Sequence, residues 1–160
     1  MESCAHIFVH LVWSTHRRLP LIVPSIREDL YTCLHVRGDR VRCLVLAVGG
    51  MPDHVHVAVR LHQTVSVSNL AQELKGGSSY EMGRVQRYAS TRLAWQEGYG
   101  AFSFAENDLA TVVRYIRTQP DRHARNAWLI GEWEVPETTP TNPEGSPPFR
   151  PEPESPRSGL

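Results

Sequence analysis

Residues 51–59 alternate with a period of two. In Met51-Pro52-Asp53-His54-Val55-His56-Val57-Ala58-Val59, an extended chain puts Val55, Val57 and Val59 on one side and His54, His56 and Ala58 on the other. Pro52 lacks the N–H that a ladder needs, so it can open this strand but not sit inside it. The two imidazoles at i and i+2 project from one face, close enough to share a divalent ion. Taken alone, the pair also fits two histidines on a partly wet sheet face.

The rest of the chain supplies the elements around that strand. Residues 6–14 are β-branched and aromatic and predict a buried strand, with Ile7, Val9, Leu11 and Trp13 on one face and His6, Phe8, His10 and Val12 on the other. His6 and His10 are secondary ligand candidates. After a basic turn, Thr15-His16-Arg17-Arg18, a helix is expected from Pro24, with Ser25 and Glu28 as a capping box and Gly38 as its end. Its apolar stripe is Ile26, Leu30, Cys33 and Leu34. A second strand spans 41–49, and Gly49-Gly50 is read as the turn into the histidine strand, which runs from about Pro52 to Leu61. A helix starting near Ser66 carries Val67, Leu70, Ala71 and Leu74. Lys75-Gly76-Gly77-Ser78-Ser79 is expected to interrupt it, either as backbone shaped to approach phosphate or as a plain helix break.

A short strand over 101–104 and a helix over about 107–119 complete the order. The helix shows an aliphatic stripe of Leu109, Val112, Val113 and Ile116. At 100° per residue, Tyr115 falls roughly 120° from the middle of that stripe, and Gln119 lies one turn later on the same side. After Pro120, an amphipathic piece with His123 and Trp128 extends to about Trp133. The layout of strand, helix, strand, strand, helix, strand, helix is that of an α+β, ferredoxin-like antiparallel sheet with helices on one face.

Composition narrows the setting. Eight of the twelve prolines fall in 134–160 with almost no large apolar residues, so 1–133 reads as one domain and 134–160 as a Pro-rich, disordered tail. The tail holds five acids against Arg150 and Arg157, which leaves 15 basic and 12 acidic residues in 1–133 of the 17 of each sign. That surplus is too small to argue for nucleic acid by itself. All basic residues but Lys75 are arginine, whose fork suits phosphate. Cys4, Cys33 and Cys43 are widely spaced and read as reduced thiols of a cytoplasmic protein. No apolar run is long enough to span a bilayer, and a signal-peptide layout is missing.

Two imidazoles and the Gln119 carbonyl make a mixed nitrogen and oxygen donor set that suits Mg²⁺ or Mn²⁺ better than structural zinc. Such an ion polarises a phosphodiester, and a tyrosine on the adjoining helix can attack it.

Met51 to Val57 resembles the His-hydrophobic-His motif of the HUH endonucleases. Over residues 6–126 the chain is similar to the small single-tyrosine transposases of the minimal insertion-sequence type, relatives of the REP-associated tyrosine transposases. Four segments in order carry this resemblance: Val12-Trp13-Ser14-Thr15-His16-Arg17-Arg18, Leu74 to Ser79, Trp95 to Ser103, and Tyr115-Ile116-Arg117-Thr118-Gln119. The resemblance implies that His54, His56 and Gln119 bind the metal and that Tyr115 forms a 5′-phosphotyrosine link to single-stranded DNA. It also implies a homodimer joined through the sheet, recognition of hairpin ends, and Lys75, Arg17 and Arg18 as DNA contacts, with Trp13 in the core. The chain departs from the pattern at His16, where a lysine is usual, in its Pro-rich tail, and at Pro120. That proline is expected to end or kink the tyrosine helix at Gln119, leaving the metal site looser or completed by His123. Two alternatives stand beside the transposase: a catalytically silent relative that binds hairpin DNA or RNA, and a phosphodiesterase of the same fold that uses water.

Overall fold

The computed structural model describes residues 4–84 and 92–119. The elements run β1 (Ile7–Ser14), α1 (Pro24–Arg40), β2 (Leu44–Met51), β3 (His54–Leu61), α2 (Val67–Arg84), β4 (Gly100–Phe104) and α3 (Leu109–Arg117), with 3-10 turns at His16–Arg18 and Glu106–Asp108. The sheet is antiparallel throughout, in the order β2-β3-β1-β4. The expected α+β class and element order are both present. The piece after Pro120, including His123 and Trp128, and the 134–160 tail lie outside the described residues.

Alternation along the two central strands divides the core in two. Val9, Leu11 and Trp13 of β1 and Val55, Val57 and Val59 of β3 point to one face, where Ile26, Leu30 and Leu34 of α1 and Leu70 and Leu74 of α2 close over them. Trp13 is core, as expected, with Trp95 edge-on to it. On the opposite face Val112, Tyr115 and Ile116 of α3 pack on Ala47 and Ala58. Two helices therefore cover one face and the third covers the other, a division that the element order alone does not express.

The third helix can sit there because that part of the sheet is stripped of side chains. A Cβ on Gly49 would lie 2.0 Å from the Ile116 carbonyl oxygen, so α3 rests directly on strand backbone. The β2–β3 register also shifts between Val45 and Ala47, which turns the small Ala47 toward α3.

Four local expectations are corrected. Gly49 and Gly50 belong to β2, and the hairpin turns instead at Pro52 and Asp53, the two residues between the strands. Proline can take a turn position because it owes no ladder hydrogen bond. No capping box forms at α1: Pro24 is at the first helical position and Val23 is the N-cap, without a side-chain bond. Gly38 does not end α1 but lies inside it, where a side chain would strike Val45 Cγ2 at 2.6 Å.

Nor does Lys75 to Ser79 interrupt α2, which is continuous from Val67 to Arg84. Gly77 is a notch in that helix for the crossing Arg37 side chain of α1, whose Cδ would be 2.6 Å from a Cβ there. In this notch Arg37 donates to Glu73 at 3.0 Å and Glu81 at 2.7 Å, a charge pair on each side of the α1–α2 contact. Packing thus selects the glycine and offsets its low helix propensity.

A continuous helix makes opposite predictions for the two glycines. Nothing lies within 4 Å of a Cβ on Gly76, so Gly76→Ala should stabilise by about 1 kcal/mol in urea unfolding. Gly77→Ala should destabilise by about 1–3 kcal/mol by displacing Arg37. Equal effects of one sign would contradict this account of α2.

Candidate active site

The candidate site forms where the polar faces of β1 and β3 meet α3. His54 and His56 are both buried on that side of β3. Their ring centroids are 5.1 Å apart with planes at 77°. Tyr115 reaches them from α3 of the same chain, its ring 5.7 Å from that of His56 and edge-on to it at 88°. Tyr115 is only 8% exposed.

This burial revises the helical phase read from the sequence. The sheet-facing side of α3 is Val112, Tyr115 and Ile116, while Leu109 and Val113 are only partly covered. Tyr115 therefore lies within the buried stripe. Counting aliphatic residues alone misplaced the stripe, because a tyrosine and an amide complete it. Gln119, four residues on, is 1% exposed. The helix ends at Arg117 with Thr118 as its C-cap, ahead of Gln119.

Each histidine is held at Nδ1. His54 Nδ1 is 2.7 Å from Asp53 Oδ1, and Arg18 Nε donates to Asp53 Oδ2 at 3.1 Å. Burial works to raise the Asp53 carboxyl, but the hydrogen bond from His54 and the Arg18 guanidinium outweigh it and hold its pKa below the ordinary value. His56 Nδ1 lies 2.9 Å from His10 Nε2, and the two rings stack at 5.1 Å with planes 23° apart. His10 is fully buried, and desolvation pushes its pKa down to about 4, so its ring is neutral near pH 7.

His10 was only a secondary candidate in the sequence. Its parity on β1 was visible, but the pairing of Val12 with His56 and of His10 with Ala58, which sets the two rings diagonally across the ladder, required the sheet register.

The donor chemistry fits a hard or borderline divalent cation. With Nδ1 engaged, Nε2 is the nitrogen that each imidazole would present, and Gln119 adds an amide carbonyl. Among the described residues no group of three or more His, Cys, Asp or Glu side chains is arranged to hold a metal ion by itself. His123 lies outside the described residues.

The expected DNA contacts separate in the structure. Lys75 donates from Nζ to the carbonyl oxygens of Gln96 and Gly98, and burial lowers its pKa. Ser78 accepts from Trp95 Nε1, and the Ser79 hydroxyl donates to the Leu93 carbonyl. The face of α2 carrying the Lys-Gly-Gly-Ser-Ser segment thus fastens residues 93–98. That segment in turn pairs Thr15 with Trp95 and holds the Arg17 N–H through Gln96 Oε1 at 3.0 Å.

Arg17 and Arg18 occupy the left-handed region, φ 54° and 53°. Non-glycine residues there cost on the order of 1–3 kcal/mol each and persist where surroundings fix them. Arg17 is exposed beside the site, whereas Arg18 is committed to Asp53.

A four-stranded antiparallel sheet thus sets two paired histidines against a buried tyrosine on a helix. The chain belongs to the IS200-like transposase family, whose sequence profile matches residues 3–119. It is 25% identical over 117 residues to the ISDra2 transposase TnpA of Deinococcus radiodurans, covering 71% of this chain and 84% of that protein. Among solved structures, a transposase from Deinococcus radiodurans superposes with a TM-score of 0.60 at 21% identity, over 72% of this chain and 92% of that one. A REP-associated tyrosine transposase bound to a REP hairpin superposes at 0.56 with 15% identity, over 84% and 75%. These two likenesses establish the shared fold. No helix among the described residues is long and apolar enough to cross a membrane.

The closeness of α3 to the sheet can be tested directly. Gly49→Ala should force α3 outward, cost about 1–3 kcal/mol in urea unfolding, and abolish the nuclear Overhauser contacts between the Tyr115 and His56 rings. Full retention of those contacts would rule out a backbone-tight seat.

Proposed function

We propose that this transposase cuts and rejoins single-stranded DNA through Tyr115. The observation that carries this reading is the Tyr115 ring against His56, 5.7 Å away. His54, His56 and Gln119 are the residues that would hold a Mg²⁺ or Mn²⁺ ion. Such an ion would polarise the scissile phosphate and steady the leaving oxygen.

The tyrosine hydroxyl, pKa about 10 when unperturbed, gives up its proton and its oxygen bonds to phosphorus. The P–O3′ bond breaks, the 3′ oxygen leaves as a hydroxyl, and the 5′ phosphate stays on Tyr115. The tyrosyl phosphodiester preserves the energy of the original bond, so a second 3′ hydroxyl can displace tyrosine and rejoin the strand. Arg17, exposed at the turn that carries Arg18, would meet the DNA backbone, and Lys75, which also ties the Gln96 carbonyl, and Arg18 would add to that contact. Hairpin DNA is the proposed recognition element, supported by the REP hairpin held by the structurally similar transposase.

The deciding experiment incubates full-length protein and Mn²⁺ with labelled single-stranded oligonucleotides from the DNA flanking the reading frame. A protein–DNA band that survives SDS, lost in Tyr115→Phe and in EDTA, is expected. Cleavage persisting in Tyr115→Phe without a band would instead indicate a water nucleophile. Hairpin binding with neither band nor cleavage would assign the chain to the silent, hairpin-binding relatives.

A further inference from the structure

Neither His10 nor Asp53 has been given a part in the reaction, yet each contacts one imidazole of the pair at the same ring atom. We propose that His10 and Asp53 are positioning residues that hold His56 and His54 by Nδ1, so that both rings turn Nε2 toward one divalent cation. The inference deepens the metal reading above and rests on it.

A neutral imidazole carries one N–H, so the partner of one nitrogen decides which nitrogen keeps the lone pair. For His54 the decision is unambiguous. Asp53 Oδ1, 2.7 Å away, belongs to a carboxylate, which only accepts. His54 must donate from Nδ1, and its lone pair lies on Nε2. Arg18 fixes the other carboxylate oxygen at 3.1 Å, so the acceptor cannot swing away without losing an ion pair. One arginine of the basic turn is in this way part of the support of the site.

For His56 the partner is another imidazole, and a 2.9 Å contact from His10 Nε2 to His56 Nδ1 is compatible with either direction. Ligation of a cation through His56 Nε2 requires Nδ1 to carry the proton. His56 then donates, and His10 accepts at Nε2 with its own proton at Nδ1. His10 is well built for this. It is 0% exposed, stacked on His56, and braced edge-on by Tyr115 at 6.1 Å and 78°. The same ring therefore supports both a proposed ligand and the proposed nucleophile, and sets the spacing between them.

The test begins with the unmodified full chain, labelled with ¹⁵N-histidine and kept metal-free in EDTA. Long-range ¹H–¹⁵N correlation spectra should show His54, His56 and His10 all protonated at Nδ1. An Nε2–H tautomer at His54 or His56 would overturn the proposal without any variant.

Mn²⁺ affinity, read by electron paramagnetic resonance of the unbound ion, gives the second arm. His10→Phe keeps the ring and removes the acceptor, and should weaken Mn²⁺ binding about 10–100-fold, as should Asp53→Ala. His10→Gln, whose Oε1 can accept from Nδ1–H, should recover most of the loss. A merely structural role predicts no rescue by an acceptor of different shape. Unchanged affinity in folded His10→Phe and Asp53→Ala would overturn the positioning role. Absence of Mn²⁺ binding by the unmodified chain would overturn the metal reading itself, so the two failures are distinguishable.

Discussion

The seating of α3 on bare strand backbone is the contact on which the site depends. At Gly49 the helix carbonyl of Ile116 occupies the space that any Cβ would need. Ala47 and Ala58 keep the neighbouring floor low, and the irregular register of β2 turns Ala47 toward the helix. A helix held 2 Å further out would still bury aliphatic surface, but its tyrosine would stand clear of the histidines. The small residues thus trade apolar burial for position, since each methyl group missing from a packed surface forgoes stabilisation.

The opposite face supplies the rigidity that makes such positioning useful. Val55, Val57 and Val59 anchor β3 into a core closed by α1 and α2, and Arg37 bridges those helices through Glu73 and Glu81. On a strand pinned from behind, His54 and His56 cannot rotate as a unit, and only their side-chain torsions are left to fix. Asp53 and His10 constrain those torsions. Sites carried on rigid strands and helices, with their side chains held by further hydrogen bonds, keep tight geometric tolerances.

Charge is distributed with similar economy. Lys75 is bound to two carbonyl oxygens of the 93–98 segment, and Arg18 to Asp53, so two of the three cations of the expected DNA surface also shape it. The segment that Lys75 secures carries Trp95 to Gly98 and, through Gln96, braces the left-handed turn at Arg17 and Arg18. A residue matched to a family motif can therefore contribute through architecture instead of contact with a ligand.

Period-two alternation at 54–59 was enough to assign faces to β3, and the order of elements was enough to fix an α+β sheet, because both follow from local geometry and burial. The same local rules misread the glycines. Gly49-Gly50 looked like a turn, Gly38 like a helix end and Gly76-Gly77 like an interruption, since sequence reports what glycine permits and not what lies beside it. Against Val45 of β2, Ile116 of α3 and Arg37 of α1, the missing side chain at Gly38, Gly49 and Gly77 respectively is a matter of clearance, which only the packed neighbours reveal. The site divides in the same way. His54, His56, Tyr115 and Gln119 were visible as candidates from spacing and motif. The contact of His10 with His56, the capture of Arg18 and Lys75, and the turning of Tyr115 into the buried face were settled by tertiary structure, because each depends on residues distant in sequence brought within a few ångströms by the sheet register.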